Sequence, residues 1–184
     1  PLEAAISSRM SCALIEPSKF GGTCLTRGCI PSKILTTAAD YIREAKDAAN
    51  TGVGFEISKI DIPHLVERMQ SQIDNSIEIE NSVEKSELVD VYKGYGEFTG
   101  NKTLKVRYPD GSYSHEISSE RIVICIGART FIPYCEGLEE TGYLTSESFF
   151  NKRDIGEDIT RWKDLVIIGG GAIGLEFSHF FSAI

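Results

Sequence analysis

Apolar residues recur along this chain with two different periods, and the changes of period mark its elements. Residues 2–8 read as the end of a helix, and 12–16 as a short buried strand closing on an acid, Glu16. From about 31 to 49, Ile34, Leu35, Ala38, Tyr41, Ile42, Ala45 and Ala49 share one face at helical spacing, with Pro31 suited to the first turn. A second helix is predicted over about 63–79, with Leu65, Val66, Met69, Ile73 and Ile77 as its apolar stripe and Asp61 upstream as its cap.

From Val89 the pattern shortens to strands at 89–92, 103–108 and 113–117. The last two are joined by Pro109-Asp110-Gly111, residues that set the backbone angles of a tight turn, so an antiparallel meander is expected. Residues 121–126 are a continuous apolar run of the kind buried in a parallel sheet, halted by Gly127. After a polar connection, 164–168 repeats that theme ahead of a glycine cluster.

Composition narrows the function classes. With 184 residues, 41% hydrophobic and 25% charged, the chain has the make-up of an ordinary globular protein. A net charge of -8, with no local cluster of Lys and Arg, argues against nucleic acid as a partner. No apolar run approaches the roughly 20 residues of a membrane helix, so no membrane partner is expected. Five unevenly spread cysteines do not make the framework of a small secreted domain, and a reducing compartment is expected, the cytoplasm or the mitochondrial matrix. Cys12 and Cys125 lie in apolar stretches and read as small buried hydrophobes.

Cys24 and Cys29 are different, because they stand in Gly21-Gly22-Thr23-Cys24-Leu25-Thr26-Arg27-Gly28-Cys29-Ile30-Pro31-Ser32-Lys33. Five helical steps advance about 7.5 Å, whereas the Cα atoms of a disulfide approach to roughly 4.4–6.8 Å, so a bond between the two requires a bend. Gly28 permits that bend, and Pro31 then sets Cys29 near a helix N-terminus, where the aligned peptide dipoles favour a thiolate. A redox couple, a static disulfide and half of a zinc site are the readings open to these residues. His64, His115 and His179 are too scattered to complete a zinc site, and no metal is assigned.

Near the C-terminal end, Gly169-Gly170-Gly171-Ala172-Ile173-Gly174-Leu175-Glu176 follows the apolar run and opens a predicted helix. Its glycines allow a tight turn, close approach of a pyrophosphate and close helix packing, so Gly169, Gly171, Ile173, Gly174 and Glu176 are candidates for binding a nicotinamide dinucleotide.

Gly-Gly-Thr-Cys followed by Gly-Cys-Ile-Pro-Ser-Lys resembles the active-site segment of the dihydrolipoamide dehydrogenase branch of the pyridine nucleotide-disulfide oxidoreductase family, which also includes glutathione and mercuric reductases. One departure is Thr26-Arg27, where the family commonly has Asn-Val, and it sets a charge near the cysteines. The resemblance implies a redox-active Cys24-Cys29 disulfide, with Cys24 meeting the substrate and Cys29 facing FAD. It implies that Lys33 pairs with Glu176 beside the flavin, and that Glu16, Gly22, Thr23, Cys24, Lys33, Gly96, Ile126, Gly127 and Ala128 line the FAD site. Ile126 stands where the family usually has threonine.

The implied fold is α/β: a three-layer, doubly wound Rossmann-like sheet with a small antiparallel insertion. Residues 1–131 would form part of an FAD domain, and 132–184 a connection and the start of an NAD(P) domain. The implied reaction is oxidation of dihydrolipoamide by NAD+ through the disulfide and FAD, with NADP not excluded, in a homodimer acting on a small dithiol or a lipoyl domain. NADPH-dependent reduction of another disulfide or of mercuric ion is the alternative within the class; a nucleotide-binding or assembly module with a static bridge is the alternative outside it. The family's first FAD signature would precede Pro1, and its catalytic histidine would follow Ile184, so a fragment of a longer enzyme, inactive alone, is expected.

Overall fold

The computed structural model describes residues 2–184. In chain order the elements are α1 (Leu2–Ser7), β1 (Cys12–Ile15), α2 (Gly22–Arg27), α3 (Cys29–Asp47), α4 (Ile62–Glu84), β2 (Val89–Tyr92), β3 (Tyr95–Gly100) and β4 (Thr103–Arg107). They continue with β5 (Ile117–Ser118), α5 (Leu138–Thr141), α6 (Ser146–Asn151), α7 (Ile155–Arg161) and α8 (Ala172–Phe181). The chain divides into two compact units, one of residues 1–20 and 76–129, the other of 21–75 and 130–184.

The first unit is mainly strand. β1 and β2 pair in parallel, Cys12 opposite Val89 and Ile15 opposite Tyr92, and the ladder continues as the Glu16 N–H donates to the Tyr92 carbonyl at 3.1 Å. β3, β4 and β5 form an antiparallel sheet, but not with the expected members: 89–92, expected in the meander, pairs with β1 instead, and β3 at 95–100 is not among the predicted strands. The turn after β4 closes as the sequence predicts: Gly111 takes φ +85°, the Gly111 N–H donates to Tyr108, and the Asp110 carboxylate accepts from the Ser112 N–H at 2.9 Å. The strand predicted at 113–117 is reduced to a bridge at Tyr113 and the two residues of β5.

The second unit is helical. The predicted stripes of α3 and α4 do most of the packing: Leu35, Ala39, Ile42, Val66, Met69 and Ile73 join Phe149, Phe150, Ile155 and Phe180 in one core. Three stripe residues are corrected, since Tyr41 and Ile77 are 69% and 56% exposed and Ala49, past the end of α3, is exposed as well; Ala39 takes the inward position beside Ile42. Asp61 caps α4 as expected, its carboxylate accepting from the His64 N–H at 3.1 Å. The stretch between the two apolar runs, expected as a polar connection, carries α5, α6 and α7. α6 starts in a reciprocal capping box between Thr145 and Ser148, and Phe149 and Phe150 follow directly into the core.

The largest difference concerns the apolar runs at 121–126 and 164–168. Neither joins a ladder, and Ile126 and Val166 stand 90% and 84% exposed. Cys125, expected to be buried, is exposed with them. A strand of this composition is stable when neighbours hydrogen-bond along it and cover both faces; among the described residues no strand pairs with either run.

Candidate functional site

The two cysteines of interest sit on consecutive helices. Cys24 lies in the middle of the six-residue α2, and Cys29 is the first residue of α3, with Gly28 as the joint. Gly28 is required there by space: a Cβ would lie 2.9 Å from the Thr23 carbonyl oxygen. At the other end of α2, Gly21 and Gly22 take φ +104° and +64°, the left-handed region in which glycine meets no Cβ clash. This reversal of the chain on either side of α2 brings two residues five apart into contact, as a bend was expected to do.

Both side chains are free thiols on exposed residues, and they lie close enough for Cys29 to bear on the titration of Cys24. The Cys24 thiol is held above its ordinary pKa, chiefly by its side-chain interaction with Cys29, and further by desolvation. The Cys29 backbone N–H and the Lys33 ammonium act in the opposite sense and are outweighed. Cys29 itself stands at the start of a 19-residue helix.

Lys33 is exposed one turn into α3, and Glu176 is exposed in the second turn of α8. The two helices pack together, and Glu176 borders a recess of about 10 Å³ with Ser32, Leu35, Thr36 and Phe177. The expected pairing of Lys33 with Glu176 is not among the ion pairs of the described residues. Polar contacts between α3 and α8 occur instead further along, where Asp40 meets His179 at 2.7 Å and the Lys46 ammonium donates to the Ala183 carbonyl at 3.0 Å.

The glycine cluster has the geometry of an anion-binding turn. Gly169 takes φ +117°, Gly171 caps α8 without any side-chain hydrogen bond, and nothing lies within 4 Å of a Cβ built on Gly169, Gly170 or Gly171. Open backbone therefore leads into the first turn of α8, whose N–H groups suit a phosphate-bearing ligand. Gly174, one turn on, has no room for any side chain. Ile173 is exposed in the same turn.

In the strand-rich unit, Glu16 follows β1 and accepts from the Ser18 N–H and hydroxyl through Oε1, at 2.9 and 3.0 Å; its Oε2 has no partner among the described residues. Gly96 on β3 comes against Ile15 of β1, 3.8 Å from the position of an added Cβ. Gly127 takes φ +69° with open space around it, and Ile126 and Ala128 on either side are exposed. A free carboxylate oxygen at a strand end and uncovered glycine backbone fit the ribose and backbone contacts of a dinucleotide. Gly22 and Thr23, from the other unit, are exposed in the first turn of α2. Among the described residues no group of His, Cys, Asp and Glu is arranged to hold a metal, and no helix is long and apolar enough to cross a membrane.

Sequence reasoning missed α2, although Cys24 rides on it, and missed the ion pair that joins Arg27 of α2 to Glu147 of α6. The second has no signal in the sequence, since 120 positions separate the partners.

A parallel strand pair, an antiparallel insertion, a thiol couple at a helix start and a glycine turn before a second helix are the features of an α/β fold of the dinucleotide-binding kind. The family model described as pyridine nucleotide-disulphide oxidoreductase matches residues 2–184, and the chain belongs to that family. It is 31% identical to dihydrolipoyl dehydrogenase of Bacillus subtilis (strain 168), over 90% of this chain and 35% of that protein. It is 31% identical to mercuric reductase of Bacillus cereus, over 96% of this chain and 26% of that protein. Mycothione reductase of Mycobacterium tuberculosis is 30% identical over 94% of this chain and 36% of its own length. Among solved structures, the Cu(II) complex of the HOCl-induced flavoprotein disulfide reductase RclA from Escherichia coli superposes with a TM-score of 0.72 at 26% identity, covering 99% of this chain and 36% of that one. The chain thus spans about a quarter to about a third of the length of these relatives, and its fold is the α/β, Rossmann-like fold of the flavoprotein disulfide reductases.

Proposed function

We propose that this chain carries the thiol-disulfide centre of a flavin-dependent oxidoreductase that oxidises dihydrolipoamide with NAD+, with Cys24 as the interchange thiol and Cys29 as the thiol that meets the flavin. The observation that supports it is the placement of two free thiols beside each other, Cys24 on α2 and Cys29 at the first residue of α3, across the bend at Gly28.

In the oxidised centre, a substrate thiolate attacks the Cys24 sulfur. The Cys24-Cys29 bond breaks and Cys29 leaves as a thiolate, which the start of α3 favours. The second substrate thiolate then attacks the sulfur bound to Cys24, closing the substrate disulfide and releasing Cys24, which takes a proton. The substrate has lost two electrons and the cysteine pair has gained them. FAD, when bound, supplies a two-electron acceptor for the reduced pair and a donor to NAD+. Glu16, Gly22, Thr23, Gly96, Ile126, Gly127 and Ala128 would hold the flavin, and Gly169, Gly171, Ile173 and Gly174 the nicotinamide dinucleotide. Lys33 would neutralise negative charge beside the pair. A homodimer would supply an imidazole from the second subunit to deprotonate the incoming thiol.

The reading is tested on the full-length protein by comparing turnover of dihydrolipoamide with NAD+ against NADPH-dependent turnover of glutathione disulfide and mercuric ion. Preferred turnover of dihydrolipoamide supports it, and preferred turnover of either alternative replaces it. Titration of the protein with a dithiol should also raise a long-wavelength thiolate-to-flavin absorbance band; a spectrum that does not change indicates a static bridge in a binding module.

A further inference from the structure

We infer that Arg27, through its ion pair with Glu147, is a positioning residue that holds Cys24 within reach of Cys29 and thereby favours the disulfide over the dithiol. The inference rests on Cys24 and Cys29 being a redox couple, and it concerns the residue at which this chain departs from its family's usual motif.

α2 is short and flanked by glycines. Six residues are too few for a helix to persist on its own propensity. Glycines stand at both ends, Gly21 and Gly22 before Cys24 and Gly28 after it, so the segment is hinged on each side. Within α2, Thr26 is buried, but its hydroxyl is used locally, donating to the Gly22 carbonyl at 2.8 Å. Arg27, in the last turn, ties α2 to another element through a charged side chain, pairing with Glu147 of α6.

Glu147 is a firm anchor. It lies in the first turn of α6, between the Thr145 capping box and Phe149, which is 3% exposed in the aromatic core. Phe149 packs edge-on against Phe150 and Phe177, so α6 is fixed by burial independently of α2. The line of support runs from the core through α6 to Glu147, then to Arg27, and so to Cys24 one turn away.

Arg27 does not act as the cation for a thiolate. The cation that bears on Cys24 is Lys33, whereas the Arg27 guanidinium pairs with Glu147 of α6. Its effect on the couple is therefore one of effective concentration. With the tether in place, the dithiol keeps its sulfurs adjacent; without it, the glycine hinges let α2 sample arrangements in which they are apart, and closure of the bond becomes less favourable. Because a partly exposed ion pair is worth little, the expected effect is small, a fall of about two- to fivefold in the equilibrium constant for disulfide formation.

The test is a glutathione redox titration of the full-length protein, followed by alkylating the remaining thiols and reading the mass shift, for wild type, Arg27→Ala, Arg27→Lys, Glu147→Gln and the reversed pair Arg27→Glu with Glu147→Arg. Arg27→Ala and Glu147→Gln should each lower the constant by about two- to fivefold. Their double variant should fall no further than either alone, and Arg27→Lys and the reversed pair should recover most of the loss. Thermal midpoints measured alongside identify any variant that fails to fold, and the other variants then carry the comparison. A constant unchanged in both single variants, or a loss that the reversed pair leaves in place, overturns the inference. If wild type itself forms no reversible disulfide between Cys24 and Cys29, the redox reading fails instead.

Discussion

A Cβ added to Gly174 would lie 2.1 Å from the carbonyl oxygen of Gly169, so the first turn of α8 rests directly on the backbone of the turn before it. A carbonyl cannot yield as a flexible side chain does. Gly174→Ala is therefore expected to push α8 away from the glycine turn, weakening NADH binding by at least about tenfold and costing about 1 to 3 kcal/mol of stability. Fluorescence titration with NADH and urea unfolding of the full-length protein measure the two effects; an unaltered affinity would remove Gly174 from the proposed site.

The effect of Cys29 on the Cys24 thiol predicts a pH profile. Cys24 is held above its ordinary value chiefly by its side-chain interaction with Cys29, so Cys29→Ala should shift the alkylation profile of Cys24 towards lower pH. Iodoacetamide labelling across pH 7 to 10, resolved by peptide mass, reads the shift. A profile that moves upward, or stays in place, would mean that Cys29 does not hold the Cys24 thiol up.

The antiparallel sheet should be sensitive to acid. Glu97 is held below the ordinary carboxylate range, first by the Arg107 side chain, which donates to it at 2.7 Å, and also by the Tyr113 hydroxyl. A depressed folded value means that the contribution is present in full above the unfolded pKa and is lost as pH falls through the folded one. Hydrogen exchange in β3 and β4 should therefore quicken below about pH 4, and Glu97→Gln should flatten that dependence. An equal acid response in both proteins would assign it to other groups.

Gln70 makes a buried link between α4 and the end of α6, its side-chain amide donating to the Phe150 carbonyl at 2.9 Å. Its Oε1 is buried without a partner among the described residues, a cost that the bond to Phe150 offsets. Gln70→Ala leaves the carbonyl unsatisfied and opens space beside Phe150, and it should destabilise the protein by about 2 to 3 kcal/mol in urea unfolding. A loss under 0.5 kcal/mol, of the size typical of surface substitutions, would show the bond to be dispensable.

The long elements were legible because their physics is repetitive. α3 and α4 each present a stripe whose period is that of the helix, and the stripe becomes the core: Leu35, Ile42, Val66, Met69 and Ile73 were all marked by spacing alone. The turn at Asp110-Gly111 and the start of α3 at Cys29 were legible for a related reason, since each depends on residues adjacent in sequence. α2 was not, because six residues between glycines carry too few apolar positions to establish a period. α6 and α7 are similarly short, although Thr145, Ser148 and the Phe149-Phe150 pair were a cap and an anchor in plain view. The runs at 121–126 and 164–168 show the converse limit: their composition states what each segment needs around it, and a ladder also requires a neighbouring strand.

Those two runs have a practical consequence for anyone handling the 184-residue polypeptide by itself. Val123, Ile124, Ile126, Val166 and Ile168 turn greasy surface and idle amide groups towards solvent, the combination from which intermolecular sheets grow. Purified at high concentration, the isolated polypeptide should cloud, bind hydrophobic dyes and take up thioflavin, and longer versions that cover these segments should stay clear under the same conditions.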